Sequence, residues 1–265
     1  LEAVDAALSA LFAEAALGLA KGEREIEFIV DVLQRDAAHR HARIDIPGAS
    51  ITTLTALAPA IRAWPALTDF ELDATASNRL KDAAGFEGFA QCSQLKVVKC
   101  IFSQCGALSD VAALGQGIGA LQGPQDIELS FSGCSALRDV AALGQGIGAL
   151  QGLQHLQLDF SYCKELSDIA ALGQGIGALQ GLQHLQLDFS YCKELSDIAA
   201  LGQGIGALQG LQHLQLSFYN CEALSDFAAL GQGIGALQGL QHLQLDFGAP
   251  PQVSVLPDIR LPPQV

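Results

Sequence analysis

Between Leu153 and Gly181 the chain passes through two hydrophobic rhythms in succession. Leu156, Leu158 and Phe160 alternate with His155, Gln157 and Asp159, the period-two pattern of a strand buried on one face. Ile169, Leu172, Ile176 and Leu179 then fall at i, i+3, i+7 and i+10, which is one face of a helix. Ser167 or Asp168 suits the N-terminal cap of that helix, and Gly181 suits the residue just past its end.

The whole segment 153–181 recurs without a change at 182–210. Related copies start at Leu95, Pro124, Leu211 and Leu240, a looser one starts at Leu67, and a shorter one runs through Arg43–Trp64. A fixed period of 29 residues predicts a solenoid, because one unit cannot bury its own apolar face. Strand then helix, always in that order, predicts an α/β architecture with parallel strands on one side and helices on the other.

Here the chain resembles the leucine-rich-repeat family. The resemblance rests on LxxLxL in Leu153, Leu156 and Leu158, a following Cys163, and Leu172 and Ile176 in the helix. Unit length is similar to the ribonuclease-inhibitor-like subclass, and Cys163–Asp168 is similar to the Cys-x-x-Ile-Thr-Asp of the cysteine-containing subclass. The resemblance implies a horseshoe solenoid with its sheet on the concave face and helices on the convex face. It implies protein binding, with enzyme inhibition or substrate adaptation as narrower forms, and brings no catalytic residues.

Stacked units set equivalent residues about 4.8 Å apart on neighbouring strands. Phe102, Phe131, Phe160, Phe189, Phe218 and Phe247 are expected as one buried aromatic column. Cys105, Cys134, Cys163, Cys192 and Cys221 are expected as a second, each thiol serving backbone groups of the turn. Outward on the strands stand His155, His184, His213 and His242, with Gln157, Gln186, Gln215 and Gln244 beside them. A further outward column is Asp159, Asp188 and Asp246, broken by Ser217. Rows of His or Asp are metal-ligating types, but His and Asp of one strand lie too far apart to share an ion, so a solvated polar face is the expectation. Four neighbouring imidazoles also make pH-sensitive binding an expectation worth testing.

The glycines of Gly173-Gln174-Gly175-Ile176-Gly177 lie inside the helical pattern and not at a strand-to-helix turn. They therefore read as close contacts between outer helices, partly 3₁₀, and not as a phosphate cradle. No catalytic constellation appears, and no cofactor or metal is expected.

Composition sharpens this picture. The 265 residues are 50% hydrophobic and only 16% charged, with 28 Gly and no Met. Each unit repeats its apolar stripes and its glycines, which accounts for the first three figures. The net charge of -14 argues against nucleic acid, which needs a basic footprint. After residue 100 only Arg138, Lys164, Lys193 and Arg260 are basic, against fourteen acidic residues. Seven cysteines without a CxxC pair suggest free thiols and an intracellular setting, cytoplasmic or inside an organelle after loss of a targeting segment. A start without Met reads as a trimmed chain or a fragment. No apolar run reaches the ~18 residues of a membrane span.

Three regions follow: a helical N-terminal cap over 1–40, a solenoid of about eight units over 41–247, and a proline-rich tail or cap over 248–265. Trp64 is expected in the core at the end of the first outer helix. Outward strand positions are varied in the N-terminal half: Asp69, Glu71 and Asp73, then Val97, Lys99 and Ile101, then Asp126 and Glu128. Exposed Val97 and Ile101 ringed by carboxylates predict a partner-binding epitope there, for a protein with a basic or mixed surface.

Overall fold

A computed structural model describes residues 40–248. The helices expected at 1–20 and 23–36, and the proline-rich segment beyond 248, lie outside the described residues.

Eight five-residue strands form one parallel sheet, paired strictly in chain order. They are β1 (His41–Asp45), β2 (Asp69–Asp73), β3 (Val97–Ile101), β4 (Asp126–Ser130), β5 (His155–Asp159), β6 (His184–Asp188), β7 (His213–Ser217) and β8 (His242–Asp246). The outer layer holds α1 (Leu57–Arg62), a 3₁₀ turn (Phe86–Gln91), α2 (Ala112–Gly119), α3 (Ala141–Gly148), α4 (Ala170–Gly177), α5 (Ala199–Gly206) and α6 (Ala228–Gly235). Identical positions of successive units pair directly, His155 with His184 and Leu156 with Leu185. That register is forced, since a one-residue slip would turn the leucines to solvent.

Between the layers, the even positions of each strand are buried, as in Leu156 and Leu158. The phenylalanine column stacks as expected: centroids from Phe102 to Phe218 are 5.3–5.6 Å apart with planes within 11°. Phe247, at 6.0 Å from Phe218, is only partly buried. Trp64 is fully buried.

The thiol column has a sharper role than filling space. Cys134, Cys163 and Cys192 donate to the carbonyl oxygens of Phe102, Phe131 and Phe160, one repeat back, at 3.1–3.2 Å. Cys105 does the same to Ala74 and Cys221 to Phe189. Ser77 occupies this position in the β2 unit and donates to Ile46 at 3.2 Å. Each of these carbonyls also accepts a backbone N–H of its own turn, as Phe131 does from Cys134 at 2.9 Å, so the thiol or hydroxyl is a second donor that ties one turn to the turn before it. Burial pushes the thiol pKa values of Cys105 and Cys221 up to about 11, and the inner ones higher.

The outer helices differ from expectation in extent. Helices α2–α6 each run eight residues and stop at their third glycine, so Gly181 lies in the turn before β6 instead of capping α4. The chain closes with bonds from Ala178 to Gly175 and from Leu179 to Ile176, the tight three-residue kind. The body of each helix is α, and the separate 3₁₀ turn is confined to Phe86–Gln91. The N-cap residue of α4 is Ile169, which makes no side-chain cap; Asp168, one place before it, accepts the Ala170 N–H on its Oδ1 at 2.8 Å, and Asp110, Asp139, Asp197 and Asp226 repeat the bond. The glycines are there for contact. A Cβ on Gly115 would lie 2.5 Å from the backbone of Ala142, and one on Gly177 would lie 2.7 Å from the Gly204 Cα.

Candidate interaction face of the sheet

The odd positions of each strand leave the core and form three columns across the sheet. Strand register builds the first from His41, Asp69, Val97, Asp126, His155, His184, His213 and His242. The imidazoles of the last four make a continuous ladder, with centroids 4.4, 4.2 and 4.4 Å apart. Its first ring has Asp126 at 3.6 Å, and His41 pairs with Asp69 at 2.7 Å at the other end of the sheet. His184 sits inside the ladder, and its pKa is lowered, first by desolvation and then by the neighbouring His213 and His155.

The second column opens with alternating charge and ends in amides: Arg43, Glu71, Lys99, Glu128, then Gln157, Gln186, Gln215 and Gln244. Its charges satisfy one another. Arg43 reaches Glu71 at 3.5 Å and Lys99 reaches Glu128 at 3.0 Å. In the third column, Asp73, Asp159, Asp188 and Asp246 turn back on the chain. Their Oδ1 atoms accept the N–H of Thr75, Ser161, Ser190 and Gly248 at 2.8–2.9 Å. These carboxylates hold the turn after the strand, whereas the sequence leads one to expect a solvated row of Asp159, Asp188 and Asp246. The signal was present in the Asp-x-Ser spacing, which is that of an Asx turn.

A trough of about 550 Å³ lies on this face. Asp126 and Glu128 close one end, and the His and Gln columns of β5–β8 line the rest. Asp69, Glu71, Asp73, Val97, Lys99 and Ile101 share the face on β2 and β3, next to that end. Val97 and Ile101 are half-buried where full exposure was expected, because Asp69 and Asp126 flank the first and Asp73 and Ser130 the second. Among the described residues, no group of three or more His, Cys, Asp or Glu is placed to hold a metal ion. Their helices include none long and apolar enough to cross a membrane.

LxxLxL strands in the units of β5–β8, and the same apolar spacing in those of β2–β4, are repeated in register along the sheet with their turns and outer segments. The chain is a leucine-rich-repeat solenoid. No family model matches the sequence, and no curated protein is similar to it in sequence. Among solved structures, this leucine-rich-repeat chain is similar to the TLR13–ssRNA13 complex, with TM-score 0.51 and 15% identity over 86% of this chain and 27% of that one. It is also similar to internalin C2 of Listeria monocytogenes, with TM-score 0.42 and 17% identity over 79% of this chain and 77% of that one. Rad7 with Elc1 from yeast gives TM-score 0.27 and 12% identity over 83% and 72%. At these identities the likeness is one of fold.

Proposed function

We propose that this solenoid is a non-enzymatic protein-interaction module that takes its partner on the concave sheet face. The observation that carries the reading is the trough over β4–β8. It is a continuous, polar, partly desolvated surface whose His and Gln side chains, unlike the aspartates beside them, are not tied back into turns. Asp126 and Glu128 at its end and the net charge of -14 favour a partner with a basic or mixed surface over nucleic acid. The apolar and charged row of Val97, Lys99 and Ile101 extends the contact across β3, flanked by Asp69, Glu71 and Asp73. The proposed epitope is therefore centred on the histidine ladder, with that row as its extension. Seven free, buried thiols suit a reducing, intracellular compartment.

Affinity capture from native extract tests the reading. His213→Asp with Gln215→Asp should strip the captured partner, Lys99→Asp with Ile101→Asp should weaken it less, and the convex pair Gln174→Asp with Gln203→Asp should leave it. Partner retention in both concave variants would count against the proposal. A second reading, a structural spacer, is favoured by the identity of 153–181 with 182–210. Deleting one of those units separates the two, since a spacer tolerates the loss and a used trough does not.

A further inference from the structure

The two edges of the sheet are not alike. At β1 the inward residues Ala42 and Ile44 are 4% and 1% exposed. At β8 the equivalent Leu243 and Leu245 are only half-buried, although their partners Leu214 and Leu216 on β7 are buried. Phe247, the last ring of the phenylalanine column, is partly buried too. In the outer layer at this end, a Cβ on Gly235 would meet nothing within 4 Å, whereas one on Gly206 would meet the next helix at Gly233. Among the described residues, no strand pairs with the outer side of β8. An open edge is a template for another strand, and β8 carries neither the Lys nor the Pro that blunts such edges.

The phase of the backbone bonds decides what fits there. His242 donates its N–H to the Gln212 carbonyl, and the Asp246 carbonyl accepts the Phe218 N–H. His242, Gln244 and Asp246 thus turn their backbone groups toward β7, and the alternation along a strand turns those of Leu243 and Leu245 outward. Two β8 edges related by a twofold axis at Gln244 set Leu243 opposite Leu245 of the second copy, where both N–H···O bonds can form. The same axis sets His242 opposite Asp246 of the second copy, in the unbonded phase where side chains lie closest. Both residues are exposed on the concave face, and Asp246 spends only its Oδ1 on the Gly248 N–H. Each contact occurs twice by symmetry. Parallel stacking of β8 on β1 of a second copy, in the register of the sheet, would instead put His242 on His41 and Asp246 on Asp45, like on like. We infer that β8 pairs antiparallel with β8 of a second copy, His242 of each against Asp246 of the other, joining two solenoids into one continuous sheet. This pairing does not depend on what the trough binds.

Sedimentation equilibrium of the full chain over a dilution series tests the pairing, with circular dichroism confirming the fold of each variant. The native chain should show the mass of two chains at the concentrated end. One chain's mass throughout means an edge closed by the chain itself and overturns the proposal. Growth beyond two chains, the mark of head-to-tail stacking, overturns it as well. His242→Asp places carboxylates opposite each other in both symmetric contacts and should weaken the pair about tenfold or more. His242→Lys keeps the opposite charge and should retain it. His184→Asp makes the same exchange two strands inside the edge and should leave the dissociation constant unchanged. An unchanged constant for His242→Asp refutes the β8 seam, and equal weakening by His242→Asp and His184→Asp moves the contact to the sheet face and refutes it too.

Discussion

The Cys163 thiol donates to the carbonyl oxygen of Phe131, 3.1 Å away and 32 residues back in the chain. That bond joins two units through a side chain, beside backbone bonds such as the one from the Gly133 N–H to the Ser161 carbonyl at 2.7 Å. Replacing Cys163 by Val keeps the volume and removes one of two donors to that carbonyl, which still accepts the Cys134 N–H at 2.9 Å, and should cost about 0.5–1.5 kcal/mol. Cys163→Ser keeps a donor, as Ser77 does naturally, and should cost less than Cys163→Val. Urea denaturation of the two variants checks the order.

The same burial makes all seven thiols poor nucleophiles. With the pKa values of Cys92, Cys105 and Cys221 at about 11 and the others higher, little thiolate exists at pH 8. The folded chain should leave a thiol reagent such as dithionitrobenzoate unreacted, with release of seven equivalents only on unfolding. Fast labelling of the native chain would contradict the burial of the column.

Glycine-to-alanine exchange should change sign with position in the array. Gly177 faces the Gly204 Cα, where an added Cβ would sit at 2.7 Å, so Gly177→Ala should destabilise by about 1–3 kcal/mol through overpacking. Gly235 holds the same place in α6 and an added Cβ would meet nothing within 4 Å. There the ordinary helix preference should prevail, a gain of about 0.5–1 kcal/mol. Thermal unfolding of the two variants shows whether helix contact is what the glycines serve.

Much of this was legible in the chain. The alternation Leu156, Leu158 and Phe160 and the exact duplication of 153–181 specify parallel pairing and the buried columns, because a repeat that buries an apolar face can stack in only one register. Helix extent was less legible. Ile169 and Leu179 are buried as the periodicity requires, but they lie outside α4, since burial periodicity continues into turns that pack on the same core. The role of Asp159 was hidden for a related reason: an outward carboxylate reads as solvated until the turn brings the Ser161 N–H to it. Nor does one sequence reveal that Lys99 and Glu128, 29 residues apart, neutralise each other and leave the trough beyond them.

Protonation of His184 should destabilise the fold. His184 has a folded pKa below the usual imidazole value of about 6.5, so near that pH the unfolded chain binds more protons. Its contribution is fully present above the unfolded pKa and is lost as pH falls through it toward the folded value. Thermal midpoints should therefore drop between pH 7.5 and 5.5 (on the order of the window around the unperturbed imidazole), and His184→Gln should flatten the drop. Facing charges are Asp126 at the ladder's start, its neighbour Glu128, and the other three imidazoles.

The trough of β4–β8 is the proposed partner-binding surface. Its most direct measurement is quantitative affinity capture with the native chain, the His213→Asp/Gln215→Asp variant and the convex Gln174→Asp/Gln203→Asp variant, each confirmed as folded. A partner held by the native and convex-variant chains and lost from the trough variant is the predicted result. A partner held equally by all three would contradict it.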